Sequence, residues 1–91
     1  MHVWVKGLGW LKVEDERDGS YDVESDASVA DVLKSFLKDR GVLGDRPLRN
    51  GDLARDVLVF LNGVDVNVSG GLYQKLHDGD KIVVVPVVHG G

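Results

Sequence analysis

Val29, Val32, Leu33, Phe36 and Leu37 fall at i, i+3, i+4, i+7 and i+8, and this stripe constrains the fold more than any other feature of the chain. It predicts one amphipathic helix over about residues 28–40. Ser28 is placed to cap its start, with Asp31 three residues on completing an approximate capping box and facing the positive end of the helix. Lys38 and Arg40 suit the last turn, and Gly41 can supply a left-handed stop. A single helix with one apolar face must bury that face against something else, and the rest of the chain supplies strands.

Val3 and Val5 alternate with His2, Trp4 and Lys6, the period-two pattern of a half-buried strand. Trp10 to Val13 can resume it. The acidic stretch from Glu14 to Asp18 reads as a solvated loop, and Asp18-Gly19 as a hairpin signal. Tyr21 and Val23 then alternate with Asp22 and Glu24, so the first two strands are expected to pair antiparallel. After the helix, residues 41–56 carry Gly44, Pro47 and Asn50-Gly51 and read as a long connection. Val57 to Leu61 is a continuous apolar run, expected to be a strand buried on both sides or nearly so. Asn62-Gly63 marks a tight turn, Val64 to Val68 a short return strand, and Ser69-Gly70-Gly71 a loop from which Leu72 drops into the core. Asp78-Gly79-Asp80 turns the chain into a last strand, Lys81 to Val85. Pro86 then limits further ladder pairing, because it has no N–H to donate. The expected class is α+β, a mostly antiparallel sheet with one helix packed on it in two layers. Residues 1–86 form one domain and residues 87–91 a flexible tail.

The chain ends on Gly90-Gly91. Behind an apolar strand and a proline, two glycines suggest a carboxylate displayed on a thin stalk, able to pass where a Cβ would not fit. Other chemistries find little support. With no cysteine there is no disulfide, thiolate metal site or cysteine nucleophile. The formal net charge of −4 argues against a broad basic face for nucleic acid. His2, His77 and His89 are far apart in sequence, and no metal site is expected. Asp78 and Asp80 read as turn residues bonding nearby backbone, not as a catalytic pair. Gly70-Gly71 lacks the Lys-Ser/Thr and following helix of a phosphate loop. No run reaches the ~18 apolar residues of a membrane span, and the first six residues lack the organisation of a signal peptide. The expected location is the cytoplasm. Trp4 shares a strand face with His2 and Lys6, and it is a candidate docking anchor if the helix leaves that face uncovered.

Three segments together carry a family resemblance: Val57-Leu58-Val59-Phe60-Leu61-Asn62-Gly63-Val64-Asp65-Val66, then Leu76-His77-Asp78-Gly79-Asp80-Lys81-Ile82-Val83-Val84-Val85-Pro86, then Gly90-Gly91. With the helix near Ser28 to Leu33 placed between two strand pairs, the whole chain resembles the MoaD/ThiS family of ubiquitin-like sulfur carriers, whose β-grasp fold implies a mixed sheet packed on one main helix. The length between helix and third strand is more like the molybdopterin-synthase small-subunit branch, or archaeal relatives that double as protein modifiers. The resemblance implies a carrier, not an enzyme, with no bound cofactor. An E1-like adenylating enzyme would use ATP to activate Gly91 as an acyl adenylate. Sulfur from a sulfide or persulfide donor would then replace AMP and leave a thiocarboxylate. Gly91 would be the reacting residue, with Gly90, His89 and Val88 recognised as the tail, and a molybdopterin-synthase large subunit is a possible second partner. Two alternatives stay open: a modifier joined to lysines through Gly91, or a thiamine-type carrier. A third, from another class, is a β-grasp binding module that carries nothing.

Overall fold

A computed structural model describes residues 1–8, 19–39 and 57–86. The expected loop over 9–18, the connection over 41–56 and the tail over 87–91 lie outside these residues. The described elements run β1 (His2–Gly7), β2 (Ser20–Asp22), α1 (Val29–Asp39), β3 (Val57–Leu61), β4 (Val64–Asp65), a one-turn α2 (Val66–Ser69) and β5 (Lys81–Pro86). Among them, no helix is long and apolar enough to cross a membrane.

The strands form one sheet in the order β2-β1-β5-β3-β4. β1 and β2 pair antiparallel as expected, with Val3 opposite Tyr21. β5 lies between β1 and β3, parallel to the first and antiparallel to the second. The sheet is therefore mixed, as the β-grasp resemblance implies, where the strand pattern by itself suggested mostly antiparallel pairing. Periodicity assigns residues to a face but does not encode which strand comes alongside. First and last strands brought together at the centre, with a helix on one side, agree with the expected α+β, β-grasp arrangement.

Alternation sends Val3 and Val5 of β1, Val59 and Leu61 of β3, and Ile82 and Val84 of β5 to one face. There they meet Val29, Val32, Leu33, Phe36 and Leu37 of α1 in one buried cluster that also holds Val66 and Leu76. Each aliphatic side chain fully buried here contributes about 1.5–3 kcal/mol. Leu72 packs only partly against this core, and Leu76, 3% exposed, is the deeper plug from that loop. Gly19 is buried beside β1, and a Cβ there would lie 2.7 Å from the Val5 carbonyl oxygen. Close approach is thus a reason for glycine at this position, apart from any turn.

Two expectations about β3 and its neighbour change. The run Val57 to Leu61 is not covered on both sides, since Leu58 is 41% exposed on the face away from α1. The return strand stops after two residues, where α2 begins. The Asp65 carboxylate accepts the Asn67 N–H at 2.8 Å and caps this turn of helix, a local bond that outcompetes further strand pairing. The hairpin between β3 and β4 uses Asn62 at φ 50° and Gly63 at φ 86°, left-handed values that a two-residue turn of this hand requires.

The start of α1 is a reciprocal capping box. The Ser28 hydroxyl accepts the Asp31 N–H at 3.3 Å, and the Asp31 carboxylate accepts the Ser28 N–H at 2.9 Å. The bond from the Ser28 backbone is the main cause holding the Asp31 carboxyl below its ordinary pKa; the Ser28 hydroxyl and the charges of Lys34 and Lys75 add to it, while partial desolvation opposes it. A carboxyl depressed in the folded state contributes stability above its unfolded pKa and loses it as pH falls through the folded one. Ser28→Ala is expected to cost about 1 kcal/mol. Asp31→Asn should be less stable than the native protein at neutral pH, and urea unfolding at stepwise lower pH should show that difference shrinking through the acid range.

Candidate functional site

Val88, His89, Gly90 and Gly91, the expected tail recognition and reacting residues, lie outside the described residues. What can be placed is the strand that leads into them. β5 ends at Pro86, opposite Val57 of β3; it pairs with β1 over Lys81 to Val84 and with β3 over Ile82 to Pro86. The strand that leads to the tail thus belongs to the centre of the sheet, and its last two residues pair with β3 alone.

The start of β5 is anchored by the two turn motifs singled out in the sequence. Asn62 donates from Nδ2 to Asp80 Oδ1 at 2.9 Å, and its own Oδ1 accepts the Lys81 N–H at 3.0 Å. The other Asp80 oxygen accepts the His77 N–H at 2.8 Å. Asp78 Oδ1 accepts the His2 N–H at 2.8 Å, while the Gly79 N–H donates to the His2 carbonyl at 2.7 Å. Asp80 therefore bonds nearby backbone, as the turn reading expected, whereas Asp78 reaches across to the backbone of β1. The Asn62–Asp80 bond is what sequence reasoning missed. It joins two turns 18 residues apart and sets the register of β5 against β3. The available signal was that both short polar motifs flank strands of matching apolar pattern. Among the described residues, no three His, Cys, Asp or Glu side chains gather as a possible metal site.

Trp4 stands on the sheet face opposite α1 and is 47% exposed. Register places it beside Lys81, and Lys6 beside Val83. On the other flank of β5, Phe60 is level with Val83 and Leu58 with Val85. Phe60, Val83 and Val85 are half-buried and Leu58 is exposed. The result is an apolar strip along β3 and β5, bordered by Trp4 on β1. Singly exposed apolar side chains are ordinary, whereas a strip of them on one face is a candidate interaction surface. The sequence pointed to Trp4 alone. Its signal for the rest was that β3 and β5 are apolar at both parities, although the helix covers only one face.

The ThiS family model matches residues 9–91. Small archaeal modifier protein 3 of Haloferax volcanii is 38% identical over 69 residues, which are 76% of this chain and 75% of that protein. The sulfur carrier protein CysO of Mycobacterium tuberculosis is 42% identical over 45 residues, about half of each, at 50% and 48%. Among solved structures, the crystal structure of small archaeal modifier protein 1 (SAMP1) from Haloferax volcanii superposes with a TM-score of 0.70 at 26% identity, covering 100% of both chains. A mixed five-stranded sheet gripping one main helix, a diglycine end and a match over nearly the whole length agree with one another: the chain belongs to the ThiS family, among small sulfur carriers and ubiquitin-like modifiers.

Proposed function

We propose that this protein is a sulfur carrier whose reacting group is the α-carboxylate of Gly91. The observations that support the reading are membership of the ThiS family and a sequence in which Gly90-Gly91 follow, three residues on, the end of β5, a central strand of the sheet. A free carboxylate is a poor acyl donor, since its leaving group would be oxide. An E1-like enzyme overcomes this by joining the carboxylate to AMP from ATP, releasing pyrophosphate. A sulfide sulfur then attacks the acyl carbon, AMP leaves, and the terminus becomes a thiocarboxylate. The carrier contributes the reacting group and the docking surface; the partner contributes the catalysis. With the long segment between α1 and β3, the reading extends to sulfur delivery in molybdopterin synthesis, with the large subunit of that synthase as the catalytic partner.

A second reading is favoured by the similarity to small archaeal modifier protein 3. In it, a lysine amine attacks the same acyl adenylate and forms an isopeptide bond, with loss of AMP and a proton. Intact mass spectrometry of the protein incubated with its adenylating enzyme, ATP and sulfide tests the first reading. The C-terminal peptide should exchange one oxygen for sulfur. If the adenylate forms and no sulfur is taken up, the carrier reading fails. Peptides bearing the residues after Lys81 on a lysine of another protein would then support the modifier.

The face bearing Trp4 is the proposed docking surface for the adenylating enzyme, because it flanks the strand that leads into the tail. Trp4→Ala is expected to raise the KM for the carrier about tenfold or more, as loss of a buried aromatic anchor does. Its circular dichroism should stay native, since half of Trp4 already faces solvent. An unchanged KM would remove Trp4 from the interface.

A further inference from the structure

Two lysines, Lys6 on β1 and Lys81 at the start of β5, stand on the exposed sheet face of a chain with a net negative charge. The sequence holds 15 Asp and Glu against 11 Lys and Arg, a net charge of −4. Trp4 and Lys81 are register partners on β1 and β5, and Lys6 and Val83 are the next pair on the same face. Neighbouring strands lie about 5 Å apart, and same-face residues along a strand roughly 7 Å apart. These four side chains therefore form one small quadrilateral, with the two cations at opposite corners, beside the apolar strip at Phe60. Neither lysine ammonium has a carboxylate partner among the described residues. Among the described residues, the acids in register at the margins of the face are Asp22 and Asp65, and each has another partner. Asp22 lies 3.6 Å from the Met1 ammonium, and Asp65 caps α2.

We propose that this face selects a partner whose contact surface is apolar at its centre and carries carboxylates placed to meet Lys6 and Lys81. The inference rests on the carrier reading above and names the chemistry of the adenylating partner's docking surface. A second copy of this chain is a poor occupant, because a self-complementary contact needs free anions in the same patch as the cations. Nucleic acid is disfavoured by the surrounding excess of acids. Exposed ion pairs add little affinity. Their main effect is on encounter, where complementary charge raises the association rate and exclusion of like-charged partners narrows choice.

The test uses the full chain and its purified E1-like enzyme, with stopped-flow association and steady-state adenylation at low and at high salt. Lys6→Glu/Lys81→Glu should associate about tenfold more slowly at low salt. Its rate should rise or stay flat with added salt, whereas the native rate falls. At saturating carrier its kcat should be native. Lys34→Glu/Lys38→Glu makes the same charge change on the exposed side of α1 and should behave as the native protein. Equal slowing in both double variants would overturn the inference, because net charge and not this face would then be responsible. So would native association by the sheet-face variant, or sedimentation showing a native dimer that this variant dissolves. Failure of the native protein to be adenylated at all would instead overturn the carrier reading, which keeps the two outcomes separate.

Discussion

Deleting Gly91 is expected to abolish thiocarboxylate formation without disturbing the fold. The effect should be all-or-none, because the deletion removes the acyl carbon that the adenylating enzyme recognises and offers Gly90 one residue short. Proximity sets the scale: a reacting atom misplaced by a few ångströms forfeits the advantage of holding reactants together, which reaches about 7–11 kcal/mol in well-oriented systems. Gly91→Ala tests the steric half of the argument, adding only a methyl where a narrow channel is expected to admit backbone alone. Both variants should unfold in urea at the native midpoint, since among the described residues the buried core cluster reaches no further along the chain than Val84. Intact mass after incubation with enzyme, ATP and sulfide is the measurement. A truncated chain that still took up sulfur would show that Gly91 is not the carrier group.

The largest effect on stability is expected at Phe36. It is fully buried at the centre of the α1 stripe, and its ring meets Tyr21 of β2 edge-on, with centroids 6.5 Å apart and planes at 62°. Phe36→Ala removes that contact and leaves a cavity between the helix and the sheet, at a cost of about 3–5 kcal/mol. A domain of this size has only about 5–14 kcal/mol to lose. The variant should therefore show a much lower urea midpoint by far-ultraviolet circular dichroism, with partial unfolding in buffer as the extreme case. Phe36→Leu keeps most of the volume and should recover much of the loss. A midpoint shift below 1 kcal/mol for the alanine variant would mean that α1 is not the principal cover of the sheet.

Much of this architecture was legible because local rules suffice for it. The helix start depends on Ser28 and Asp31, three residues apart, and the capping box forms as the spacing implies. The β3–β4 turn depends on two adjacent residues with left-handed backbone. What was misread depended on distant neighbours. Val57 to Leu61 looks like a strand covered twice, yet its outer side chains stay open, because apolar composition reports affinity for a surface and not whether that surface is another part of the same chain. Val66 to Val68 has the residues of a strand, but the Asp65 side chain captures the Asn67 N–H first.

The candidate site divides in the same way. By itself, the sequence determined the diglycine end, the aromatic at position 4 and the parity that sets Trp4 and Lys6 against Val3 and Val5. These follow from order along the chain and from the two-residue repeat of a strand. Only the tertiary structure decided that β5 lies between β1 and β3, since pairing of strands more than 70 residues apart is a property of the assembled core. That placement brings Lys81 beside Trp4 and Phe60 beside Val83, and so turns scattered side chains into one surface. It also closes the bond between Asn62 and Asp80. The physical reason is that no local interaction distinguishes one neighbour for β5 from another; burial of Ile82 and Val84 beneath α1 does.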